Sequence, residues 1–78
     1  MEKYVILLRG NQGETYRLQY SEGEESQVVK QIKELINNPI KGITSSAVIK
    51  QLMESAEMKS DRVTRKIGDL CKMILEEI

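Results

Sequence analysis

The sequence contains no histidine, no tryptophan and no phenylalanine, and only one cysteine and one proline. Without histidine, the side chain that most often moves protons near neutral pH is missing. Its absence also removes the usual Cys/His zinc sets and any Cys–His nucleophile pair. Cys71 has no second cysteine to bridge, so an internal disulfide is excluded, and the expected setting is reducing and cytoplasmic. No apolar run approaches the ~20 residues needed to cross a bilayer. The run Tyr4–Leu8, preceded by Glu2, is too short for a signal peptide. Twelve basic residues balance twelve acidic ones, so the net charge does not announce a polyanionic partner. The only aromatics are Tyr4, Tyr16 and Tyr20, which leaves an aliphatic core.

What is present fits one folded soluble domain over residues 1–78, with 40% apolar and 31% charged residues. A chain this short buries a modest core, and many gain stability by pairing, so a homodimer is expected. Lys3–Arg9 (KYVILLR) is β-branched and aliphatic and reads as a strand with two apolar faces. One face holds Tyr4, Ile6 and Leu8; the other holds Val5 and Leu7. Both faces are expected to be covered, the second by another part of the chain or by a second copy. Gly10-Asn11-Gln12-Gly13 supplies a turn. Thr15–Tyr20 then alternates, with Tyr16, Leu18 and Tyr20 inward and Thr15, Arg17 and Gln19 outward. Residues 1–20 therefore form a β-hairpin, its tyrosines closing a small core with their hydroxyls at the rim.

Residues 24–78 read as three helices. The first runs from Glu24 or Glu25 to Ile36, with Val28, Val29, Ile32, Leu35 and Ile36 as its stripe. Asn37-Asn38-Pro39 stops it, because the residue before proline avoids the helical region. Ile40 and Ile43 are expected to tuck inward. Thr44, Ser45 and Ser46 offer N-caps for a second helix over Ser46–Ser55, with Val48, Ile49, Leu52, Met53 and Ala56 buried. Met58 is available to anchor the following turn. Ser60 is expected to cap a third helix from Asp61 to Glu76, with Val63, Ile67, Leu70, Ile74 and Ile78 as its stripe and Cys71 at the stripe's edge. The architecture is α+β, in the order β-β-α-α-α.

Enzymatic chemistry finds no purchase here. Gly10 and Gly13 are followed by a strand and by no Lys-Ser or Lys-Thr pair, so they are turn glycines and not a phosphate loop. Glu22, Glu24 and Glu25 suit a solvated loop better than a calcium site. Cys71 reads as a small buried hydrophobe. No catalytic residue, cofactor or metal is expected.

The remaining constellation is Lys59-Ser60-Asp61-Arg62-Val63-Thr64-Arg65-Lys66. Between residues 41 and 66, Lys41, Lys50, Lys59, Arg62, Arg65 and Lys66 face Glu54, Glu57 and Asp61, a local excess of positive charge. At ~100° per residue, Arg62, Arg65, Asp69, Lys72 and Glu76 lie opposite the apolar stripe, with Lys66 and Met73 to one side. Arginine can bridge two acceptors on guanine, and lysine and hydroxyl groups can hold phosphates. The order helix, short link with Ile43-Thr44, helix, then SDRVTRKIGDL resembles the three-helix core of winged-helix, or helix-turn-helix, transcription regulators over about residues 26–75. The resemblance implies a recognition helix that begins at Ser60–Lys66 and enters the major groove of double-stranded DNA. It implies Lys59, Ser60, Arg62, Thr64, Arg65 and Lys66 as nucleic-acid-binding residues. In this sequence the hairpin precedes the helices, and no strand pair follows the third.

A different function fits the same residues. Arg65 with Asp69 and Lys72 with Glu76 are spaced as intrahelical ion pairs, so the face can be ordinary solvated surface. The chain would then be a protein-interaction module, a small inhibitor or adaptor. It would act through the hairpin edge by strand addition, or through the Met73 and Leu75 side of the third helix.

Overall fold

The computed structural model describes residues 2–78. Strands β1 (Lys3–Arg9) and β2 (Thr15–Ser21) pair antiparallel in one two-stranded sheet. Tyr4 stands opposite Tyr20, Ile6 opposite Leu18, and Leu8 opposite Tyr16. These pairs form the inner face. The alternation in β2 dictates that face, because a one-residue slip would bury Arg17 and Gln19. The Gly10 N–H donates to the Glu14 carbonyl (2.8 Å), and Gly13 takes φ +87°, a conformation open to glycine at little cost.

Three helices pack under the sheet: α1 (Glu25–Asn37), α2 (Ser45–Glu57) and α3 (Arg62–Glu77). Thr44 caps α2, its hydroxyl oxygen accepting from the Ala47 N–H at 3.2 Å. Asp61, not Ser60, caps α3, its carboxylate accepting from the Thr64 N–H at 2.8 Å. The full charge of the carboxylate suits the positive helix end. The core joins Tyr4, Ile6, Leu8, Leu18 and Tyr20 of the hairpin to the buried sides of all three helices and to Ile43.

Several expected core positions lie at the surface. Leu7 is 49% exposed and Val5 is half-buried, so within one chain the second face of β1 is only partly covered. Ile40, Met53, Met58, Val63 and Ile78 are also exposed. On α3 the buried set is Gly68, Leu70, Cys71 and Ile74, with Cys71 near its centre, and Val63 and Ile78 stand toward the two ends of the helix. Met53 lies off the buried row of α2, which is Val48, Leu52 and Ala56. The Tyr4 hydroxyl is not at the rim, being buried without a hydrogen-bond partner among the described residues. The Tyr4 and Tyr20 rings stack with centroids 5.2 Å apart.

Gly68 sets how closely α3 approaches α2. A Cβ added there would stand 2.9 Å from the Ser55 carbonyl oxygen. Alanine would add about 1 kcal/mol of helix propensity. Crowding against backbone, which cannot rotate away, costs about 1–3 kcal/mol. Gly68→Ala is therefore expected to lower the urea midpoint slightly. A raised midpoint would show that the two helices have room to spare.

Burial raises the Cys71 thiol to about 11, against the opposing effect of a hydrogen bond with Ser55. Burial, then Glu25, raises Tyr20 to about 12. Between the unfolded and folded values the native state holds protons that the unfolded chain has lost. This contribution to stability is complete below pH 9 and falls as pH rises through about 11 and 12. Chemical denaturation from pH 8 to pH 11.5 should show a steady loss of stability. Cys71→Ser should flatten the lower part of that curve.

Candidate nucleic-acid interface

The four residues Met58–Asp61 join α2 to α3. Gly68 of α3 lies against the last turn of α2, near the carbonyls of Ser55, Ala56 and Met58, so residues Arg62–Ile67 precede that contact. Lys59 and Ser60 are exposed in this turn, and Arg62 and Arg65 are exposed on the first two turns of α3. Those four of the six expected residues share one accessible end. Thr64 is half-buried and turns toward β1, bordering a surface depression with Val5, Leu7, Met58 and Ile67. Lys66 lies to the side, half-buried, with its ammonium 5.9 Å above the Tyr4 ring.

The charges around this end are more evenly matched than the sequence suggests. Arg62 pairs with Glu2, and Lys66 donates to Glu22 at 2.5 Å. The hydrogen bond from Lys66 holds Glu22 below its ordinary pKa, and Glu22 in turn raises Lys66. Asp61 is lowered chiefly by the Thr64 backbone N–H. Arg65 and Lys59 form no ion pair among the described residues. The intrahelical pairs that spacing allows, Arg65–Asp69 and Lys72–Glu76, do not form. The carboxylates on Arg62 and Lys66 come instead from the hairpin's start and the loop after it, partners that no local spacing reveals. Exposed pairs of this kind are weak, so a phosphate can displace them.

The chain matches no family model, no curated protein and no solved structure.

A second basic surface lies on the outer face of the hairpin. Cross-strand pairs there are Lys3 with Ser21, Val5 with Gln19, Leu7 with Arg17, and Arg9 with Thr15. Lys3, Arg9 and Arg17 are exposed and form no ion pair among the described residues. Arg17 is outward in the sequence pattern too. Its neighbourhood is not legible there, because Lys3 and Arg9 join it only once the strands pair.

Proposed function

We propose that this protein binds double-stranded DNA and acts as a small transcription regulator, with the turn 58–61 and the first two turns of α3 against the duplex. The observation that carries this reading is the exposed basic start of α3. It presents Arg62 and Arg65 beside Lys59 and Ser60 on one exposed end. A helix entering the major groove needs that arrangement: long cations toward the bases and phosphates, and an apolar far side docked on the domain. The test is fluorescence anisotropy with a labelled mixed-sequence duplex at low salt. Saturable binding, tighter than that of an unrelated protein of zero net charge, is the expected result. Equal affinity for the two proteins would end the reading.

One observation favours a second reading. Leu7 and Val5 border an apolar depression with Met58 and Ile67, on the side of β1 that β2 does not pair. A protein-interaction module would use this side, for another protein or for a second copy of the chain in a homodimer. Light scattering at micromolar concentration separates these outcomes. A mass near twice the monomer points to self-pairing; a stoichiometric foreign partner in a pull-down points to an adaptor. No helix among the described residues is long and apolar enough to cross a membrane.

A further inference from the structure

The outer face of the hairpin carries three cations and no carboxylate along both strands. Lys3, Val5, Leu7 and Arg9 come from β1, and Thr15, Arg17, Gln19 and Ser21 from β2. This is the opposite of α3, whose cations Arg62 and Lys66 are met by carboxylates. Alternation explains the segregation. Glu2 and Glu22, just beyond the paired residues, reach Arg62 and Lys66 of α3 instead. Two acids lie near the rim. Glu14 accepts from the Gln12 N–H at 2.9 Å, and Glu54 shares a surface depression with Arg9 without pairing to it.

We propose that this face is a second DNA-contacting surface, a two-stranded ribbon that lies in the major groove. Resting on the duplex reading above, the ribbon adds base contacts of its own to those of α3. A two-stranded ribbon fits a groove about 12 Å wide. At its centre, Arg17 stands directly across from Leu7, and Gln19 across from Val5. Arginine suits the two acceptors of guanine, glutamine suits adenine, and the exposed Leu7 suits the methyl group of thymine. Lys3 and Arg9 flank this centre on β1, placed for phosphates on either side. The Arg9 end is rigidly held. The Gln51 side-chain amide accepts from the Arg9 N–H at 2.8 Å and donates to the Arg9 carbonyl at 2.7 Å. That clasp ties the strand to α2 and closes its free edge there, leaving the outer face as the accessible surface.

The experiment compares Arg17→Glu with Arg65→Glu on one labelled duplex at about 50 mM salt, with thermal unfolding of each variant as the check on folding. Arg17→Glu is expected to weaken duplex binding at least tenfold. Should Arg17→Glu unfold, Arg17→Gln gives the same readout with a smaller loss. A loss on Arg17→Glu with Arg65→Glu unaffected keeps the ribbon and removes α3 as the reader. Wild-type affinity in a folded Arg17→Glu protein overturns the ribbon, while a loss on Arg65→Glu leaves the α3 reading standing. Tighter binding to single-stranded RNA or to anionic vesicles than to duplex also overturns it, as does a wild-type protein with no duplex affinity.

Discussion

Ile74→Ala should destabilise the protein by about 2–5 kcal/mol, the range for emptying a buried isoleucine site. Ile74 is fully buried and sits where α3 meets the rest of the core. A domain of this size has roughly 4–12 kcal/mol of stability in total, so this one change removes a large share of it. Urea denaturation should show a midpoint well below wild type with an unchanged slope. Val63→Ala provides the contrast. Val63 and Ile74 share one helical stripe in the sequence, but Val63 is 39% exposed. Its truncation should cost less than about 1 kcal/mol. Equal losses at the two positions would mean that the stripe of α3 runs through Val63 after all.

Those two residues show what a sequence pattern does and does not carry. Periodicity placed the five elements in order, and it placed Val28, Ile32, Leu52, Leu70 and Ile74 inside, where they are. It did not say how far each helix extends into the core. Val63 and Ile78 continue the stripe of α3 past the point where other elements lie against it, so they stay at the surface. Ile40 is expected inward and Met58 is available to anchor its turn, both as isolated apolar residues outside any periodic stripe, and both are exposed. Cap choice was a near miss: Ser60 and Asp61 are both competent, and the carboxylate takes the Thr64 N–H. At the candidate site, the outward position of Arg62 and Arg65 was legible, because ~100° per residue fixes which side they occupy. The pairing of Arg62 with Glu2 and of Lys66 with Glu22 was not, since sequence separations of that length are bridged only by the fold.

Arg65→Glu should reduce duplex affinity ten- to a hundredfold, about 1–3 kcal/mol, the range for a good arginine contact to a base. The side chain is exposed and forms no ion pair among the described residues, so stability should change by no more than about 0.5 kcal/mol. Lys72→Glu is the control. It lies two turns further along the same exposed side of α3, away from the helix's basic start, and should leave affinity within about twofold if contacts are confined to that start. Glu22→Gln should act in the opposite sense. It removes the carboxylate that holds Lys66, frees a cation beside the proposed interface, and should tighten binding severalfold. A folded Arg65→Glu protein with undiminished affinity would exclude α3 from the interface.

Salt dependence of duplex binding tests the central claim most directly. Plotted as log affinity against log salt concentration, the slope is about −0.9 for each phosphate neutralised. Phosphate contacts from Lys59 and Arg62 alone predict a slope of about −2, and the addition of Lys3 and Arg9 predicts one of about −4. A slope near zero, or no measurable complex at the lowest salt, would contradict both surfaces and leave the apolar side of β1 as the working face of the protein.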